Sequence, residues 1–68
     1  MADIGVADIV KCRFYFLDTV AVWFRGTVVK VHNLNDKQFL YDVRLDDQDI
    51  FGGEYVTVAD DNIALSTS

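Results

Sequence analysis

Alternation of apolar and charged residues predicts the first strand of this chain. In the run IVKCRF, Val10, Cys12 and Phe14 alternate with Lys11 and Arg13. A period of two puts one set of side chains on a buried face and the other on an exposed face, which is typical of a half-buried β-strand. The next run, YFLDTVA, breaks the alternation and predicts a loop or a less regular segment.

The strongest strand signal is the run VWFRGTVVKV over residues 22–31. Adjacent strand residues point to opposite faces, so we expect Phe24 to face inward and Trp23 to face outward. Gly26 in the middle of the strand predicts a sharp bend or the close approach of another backbone. The consecutive pair Val28 and Val29 predicts a change of face, as a β-bulge would give.

Three further short strands complete the predicted fold. Turn-forming residues in NLNDK predict a hairpin, and FLYDVRLD is the returning strand. EYVTV and NIAL predict two more strands. ADDN predicts a tight turn between them, and one turn of 3₁₀ helix would fit there. Five short strands without an amphipathic helix predict an all-β domain, a small and partly open barrel. We expect this domain over residues 8–65, with a flexible lead-in at 1–7 and a frayed tail at 66–68.

Charge favours some partners over others. Eleven acidic residues against six basic ones give a net charge of −5. This charge disfavours sequence-independent contact with nucleic-acid phosphates and suits a basic peptide. Lys11, Arg13 and Arg25 nevertheless have the spacing to share one outer face. The net charge therefore argues against nucleic acid as a partner. A local basic patch on that outer face is the one feature that favours it.

Catalytic and metal-binding patterns are missing from the sequence. Cys12 is the single cysteine and His32 the single histidine, so an internal disulfide and a Cys/His metal set are both excluded. The loop after the third strand fails as a calcium loop, because Phe51 falls on a position that needs an oxygen ligand. We expect no enzymatic activity, no cofactor and no metal. With no secretory leader or membrane-length apolar run, we expect an intracellular protein, nuclear or cytoplasmic.

The order of these elements resembles a known family of small barrels. DIVKCRF, then WFRGTVVKV, YDVRLDD and a valine-rich hairpin ending in DNIAL resemble a Tudor domain, with related patterns in Agenet domains. The resemblance covers roughly residues 8–65 and implies a five-stranded SH3-like barrel. It is more specific for the fold than for an activity, because SH3-like barrels bind many unrelated ligands.

Tudor domains that read methylated lysine or arginine hold the cation in an aromatic cage at one end of the barrel. The resemblance places cage positions on Phe14 and Phe24. The third position falls on Leu45, which offers contact area without a ring. The fourth falls near Gln48, where Phe51 would substitute if the loop folded back.

Acidic residues next to this cage would complement a cationic side chain. Asp46, Asp47 and Asp49 lie in one loop and form the predicted acidic rim, although a solvated acidic loop without a ligand is the simpler interpretation. Trp23 is the remaining candidate, either lining a binding or oligomer surface or covered by the segment YFLDTVA.

Three functional hypotheses follow from these patterns. The first is a non-catalytic interaction module that binds a basic peptide, including one with methylated lysine or arginine. The second is a structural or accessory subunit that assembles through its strand edges and exposed aromatic residues, as a homo-oligomer or with a partner. The third, with the least support, is a nucleic-acid-binding barrel.

Overall fold

The computed structural model describes residues 4–46 and 52–66, which form one antiparallel β-sheet. The strands are β1 (Ile9–Phe16), β2 (Val20–Asn35), β3 (Gln38–Leu45), β4 (Tyr55–Ala59) and β5 (Ile63–Leu65), and a 3₁₀ turn (Asp60–Asn62) joins the last two. Their order across the sheet is β4-β3-β2-β1-β5. The all-β class, the five strands and the 3₁₀ turn are confirmed. In the described residues β4 and β5 are unpaired edges, so the sheet is not a closed barrel.

The segment predicted as a loop is mostly strand. β1 continues to Phe16 and β2 begins at Val20, so only three residues connect them. Leu17 (φ 55°) and Asp18 (φ 61°) adopt left-handed backbone, which matches the twist of a tight hairpin. The loop prediction was wrong because this end of the hairpin projects into solvent. Alternation of apolar and polar residues fails there because Tyr15 and Phe16 are both aromatic and both exposed.

β2 changes face at the predicted bulge. Its pairing with β3 shifts register between Val28 and Lys30. Val28 is buried before the shift and Val31 packs against the core after it, so the inward-facing parity changes across the exposed pair Val29 and Lys30. Gly26 lies just before this bulge and permits the close approach that the sequence predicts. A Cβ atom on Gly26 would lie 2.6 Å from the Arg44 carbonyl oxygen and 2.6 Å from Cγ1 of Val43. The paired strand β3 therefore lies too close to β2 at Gly26 for any side chain to fit.

The short link between β4 and β5 requires the sheet to curl. Through β3, Ala59 at the end of β4 is aligned with His32 of β2; through β1, Ile63 at the start of β5 is aligned with Phe24. In a flat sheet these positions would be about 26 Å apart along β2 and about 19 Å apart across the strands. Three residues of 3₁₀ turn, rising about 2 Å each, cannot span that gap. β2 must therefore bend, bringing the two sheet edges together.

The concave side of the curled sheet encloses the core. All five strands contribute to it, and within the described ranges neither a long helix nor a second sheet covers this face. The curl itself must therefore remove these side chains from water. The buried apolar residues are Ile4, Val10, Cys12, Phe24, Val28, Tyr41, Val43, Leu45, Val58 and Ile63.

Residues flanking the strands are held against the sheet. Ile4 is buried, and the Ala7 amide donates to the Val28 carbonyl at 2.8 Å. At the other end, the Ser66 amide donates to the Ile9 carbonyl at 3.0 Å. Residues 4–7 of the predicted lead-in therefore contact the sheet. Residues 1–3 and 67–68 lie outside the described residues.

The 3₁₀ turn is hydrogen-bonded to two non-adjacent strands. The Tyr41 hydroxyl on β3 donates to Asp60 at 2.9 Å, and burial together with Asp60 raises the pKa of Tyr41 to about 12. From β1, Arg13 donates to the Asp61 carbonyl at 2.8 Å and to the Asn62 side chain at 3.3 Å. These contacts attach β1 and β3 to the same turn.

A second side-chain network crosses the outer surface from β2 to β4. Nε2 of His32 lies 2.8 Å from one carboxylate oxygen of Asp42, and the Thr57 hydroxyl donates to the other at 2.7 Å. A carboxylate only accepts hydrogen bonds, so Nε2 carries the hydrogen. Hydrogen bonds from His32 and then Thr57 lower the pKa of Asp42 below its ordinary value of 3.8. Ionised Asp42 therefore links three strands.

Gly26→Ala should destabilise the protein by about 1–3 kcal/mol, because backbone and a buried valine would have to move to admit the methyl group. Urea unfolding followed by far-UV circular dichroism measures this difference. Gly5→Ala is the matched control, since its Cβ would meet only a side-chain oxygen of Asp8, at 4.0 Å. We expect the control to lie within about 0.5 kcal/mol of the wild type. Equal effects of the two substitutions would contradict the close approach at Gly26.

Asp42→Asn should reduce stability at neutral pH and have progressively less effect in acid. A carboxyl group with a lower pKa in the folded state contributes stability that is complete above its unfolded pKa of about 3.8. That contribution disappears as the pH falls through the lower pKa that Asp42 has in the folded state. Urea unfolding of both proteins at a series of pH values, from pH 6 down to the pH at which acid alone unfolds them, measures the difference in the free energy of unfolding. A difference that does not change with pH would contradict the assigned network.

Candidate functional site

An aromatic groove lies where the C-terminal ends of β1 and β3 meet the start of β4. It has a volume of about 300 Å³. β1 delivers its terminal aromatic residues, and the β3–β4 pairing brings the start of β4 beside Leu45. The residues that line the groove are Phe14, Tyr15, Phe16, Leu45, Glu54, Tyr55 and Val56.

Two of these rings rest on a third ring in the core. The centroids of Phe14 and Phe24 are 5.6 Å apart with the planes tilted by 56°, and Phe16 meets Phe24 edge-on at 6.4 Å. Both arrangements are favourable for aromatic quadrupoles. Phe24 is 7% exposed and supports the groove from below, without lining it. The ring positions are therefore set by core packing.

The predicted site residues are only partly brought together. Phe14 and Leu45 line the groove, with Leu45 fully buried at its base. Asp46 does not line the groove, and its carboxylate lies 3.8 Å from Nε of Arg25 in a partly exposed ion pair. The remaining residues of the predicted rim and cage, Asp47, Asp49 and Phe51, lie outside the described residues.

Trp23 faces away from the groove. It is 45% exposed on the convex side of β2, so the predicted orientation of Trp23 and Phe24 is confirmed. Its ring lies between two basic side chains of β1, with Lys11 at 5.7 Å and Arg13 at 5.5 Å from the centroid. Trp23 therefore belongs to a different surface from Phe14.

The contribution of β4 to the groove was not predicted from the sequence. Tyr55 is 66% exposed at the start of this strand, next to Glu54 and Val56. The available signal was an aromatic residue on the polar face of the alternating run EYVTV. Nothing in the linear pattern placed Tyr55 beside the end of β1. That proximity comes from the curl of the sheet.

This combination of groups is suited to holding a cation. Aromatic faces carry negative quadrupole density that attracts ammonium and guanidinium groups. Among the described lining residues, Glu54 supplies a carboxylate that would form a charge-assisted hydrogen bond with an N–H donor. The groove is open, so a side chain presented by a peptide can enter it.

Nucleophilic and metal-binding groups do not converge in the described ranges. Burial of the Cys12 thiol raises its pKa to about 11, so thiolate is scarce at neutral pH. Residues 4–46 and 52–66 contain no cluster of three or more His, Cys, Asp or Glu side chains able to hold a metal ion. They also contain no helix with the length and apolar character needed to cross a bilayer.

Comparison with family models, with curated protein sequences and with solved structures gives no significant match to this chain. The function must therefore be argued from the groove and its chemistry.

Native Cys12 should react with a thiol reagent far more slowly than unfolded protein at pH 8. Its side chain is fully buried and its pKa lies well above that pH. The measurement compares the rate of colour release from an aromatic disulfide reagent with and without denaturant. Rapid stoichiometric labelling of the folded protein would contradict the burial of β1 in the core.

Proposed function

We propose that this chain is a non-catalytic interaction domain that binds a basic peptide by taking one cationic side chain into the aromatic groove. The observation that supports this most is that Phe14, Phe16, Tyr55 and the acidic residue Glu54 all line one open groove. A ligand with a positive charge and an apolar shell matches both features. Lysine, arginine and their methylated forms have that character.

The size and exposure of the groove favour one side chain and modest affinity. About 300 Å³ is at the lower limit for ligand pockets. Each ring contributes about 0.5–1 kcal/mol to a cation at an exposed site, rising to about 2 kcal/mol when the contact is desolvated. Three rings would then give about 1.5–6 kcal/mol. The net charge of −5 adds attraction for a basic peptide during the encounter.

Our structural proposal is a Tudor-like member of the SH3-like barrels. Its support is the strand order β4-β3-β2-β1-β5, the bent second strand and the 3₁₀ turn before the last strand. The chain departs from the family pattern at the cage. Of the two aromatic positions that match, Phe14 lines the groove and Phe24 lies beneath it. Selectivity for methylation would therefore depend on Phe16 and Tyr55.

A second candidate function is that of an accessory subunit that assembles through the same end of the sheet. Leu17 is 89% exposed in the β1–β2 turn, and Phe16, Val20 and Tyr55 are also exposed. Large exposed apolar side chains at one end of a small domain are typical of interaction surfaces. Under this alternative, a second copy or a partner covers the groove.

Tyr55→Ala should weaken binding of a trimethyllysine peptide by roughly three- to thirtyfold, in line with the loss of one ring from the cation site. Tyr55→Phe should restore most of the affinity, because the ring face remains. Glu54→Gln should weaken unmodified lysine more than trimethyllysine, which has no N–H to donate. Amide chemical-shift titrations by NMR measure all three affinities.

An acetyllysine peptide of the same sequence is the matched ligand control, since acetylation removes the charge. Asp36→Asn, in the distant β2–β3 turn, is the control for net charge. Equal binding of acetyllysine and trimethyllysine, or no shifts at groove residues at millimolar peptide, would refute the cation site. A stable oligomer in sedimentation that Leu17→Ser disrupts would instead favour the accessory subunit.

A further inference from the structure

Cationic and aromatic side chains alternate on the convex face of β1 and β2. Lys11, Arg13 and Tyr15 project from successive outward positions of β1, and the strand register aligns Arg13 with Trp23 and Lys11 with Arg25. We name these five residues the outer stripe. They lie on the opposite side of the sheet from the core residues Val10, Cys12 and Phe24, which have the other parity. The outer stripe meets the groove at Tyr15, which lines both, and its other four residues do not line the groove.

The members of the outer stripe hold one another in place. The Arg13 guanidinium lies 5.5 Å from the Trp23 centroid and 5.3 Å from the Tyr15 centroid, and the Lys11 ammonium lies 5.7 Å from Trp23. Hydrogen bonds to the 3₁₀ turn fix Arg13 further. Trp23 and Tyr15 stay about half exposed in this arrangement. A ligand therefore meets a surface that is already ordered, which lowers the entropic cost of binding.

The outer stripe is basic within an acidic protein. Three of the six basic residues of the chain belong to it. The acidic partner that the described part of the chain places against it is Asp46, which faces Arg25 at 3.8 Å. At physiological ionic strength charges are screened over about 8 Å, so a ligand on this face responds to the local cations more than to the net charge. The net charge of −5 therefore does not describe the electrostatic character of this face.

We propose that the outer stripe binds single-stranded nucleic acid. Single-stranded nucleic acid matches both kinds of group on the outer stripe. Its phosphates pair with the cations, and its bases stack on aromatic rings and guanidinium planes. An acidic peptide would satisfy Lys11 and Arg25 and leave the exposed surface of Trp23 and Tyr15 without a matching group. Duplex would offer phosphates while hiding the faces of its bases.

Trp23 is the single tryptophan of the chain, so its fluorescence reports directly on this surface. Titration with oligo(dT) and oligo(U) should quench the emission at low salt as bases stack on the indole. Lys11, Arg13 and Arg25 would contact two or three phosphates. The logarithm of the association constant should then fall with the logarithm of salt concentration at a slope of about −1.5 to −2.

Variants separate the parts of the surface. By anisotropy of a labelled oligonucleotide, Trp23→Ala should weaken binding by roughly tenfold, and Trp23→Phe should weaken it less. Lys11→Ala should reduce the salt slope by about one contact. Lys37→Ala, in the β2–β3 turn, removes the same charge elsewhere and should leave the slope unchanged. Tyr55→Ala should affect peptide binding and leave oligonucleotide binding intact.

Four results would overturn the proposal. One is the absence of quenching and anisotropy change at about 20 mM salt, where charges are only weakly screened. Another is binding of poly-glutamate with equal affinity and equal quenching, which would assign the surface to an acidic peptide. A third is preference for duplex over single strand. The fourth is an equal loss of affinity for Lys11→Ala and Lys37→Ala.

Discussion

The fold depends on one close backbone approach, where the paired strand β3 lies against Gly26 of β2. There the Arg44 carbonyl and a Val43 methyl occupy the space that any side chain would need. Together with the bulge between Val28 and Lys30, this contact lets a sixteen-residue strand bend around its own core. A short chain without a covering helix in its described part has no other way to bury one face of a sheet. The three-residue link between β4 and β5 then holds the bend.

The curl also determines where the chemistry lies. At one end of the sheet it brings the last residues of β1 next to the first residues of β4, so that rings distant in sequence line one groove. On the convex side it displays Lys11, Arg13 and Trp23 as an ordered row. The two surfaces have opposite electrostatic character: the groove offers ring faces and a carboxylate, whereas the outer stripe offers cations. The two surfaces share Tyr15, and their remaining groups suit ligands of opposite charge.

Local pattern predicted most of the fold, and tertiary proximity explains what it missed. Alternation in IVKCRF, the paired valines at 28 and 29, and Gly26 each reflect a local constraint on backbone or face, and each was interpreted correctly from sequence. The end of β1 was missed because Tyr15 and Phe16 are both aromatic and both exposed, which removes the alternation. Tyr55 was missed as a groove residue because its neighbours come from a strand about forty residues earlier, and only the bend of β2 brings them together.

Nuclear Overhauser spectroscopy of the 3₁₀ turn tests the curl most directly. In a flat sheet Arg13 and Tyr41 would be aligned with positions eight residues apart on β2, about 26 Å along the strand. In the curled sheet both side chains hydrogen-bond to the same three-residue turn. The account predicts cross-peaks from Tyr41 ring protons to Asp60 and from Arg13 side-chain protons to Asn62 in one spectrum. Cross-peaks to one strand without the other would contradict it.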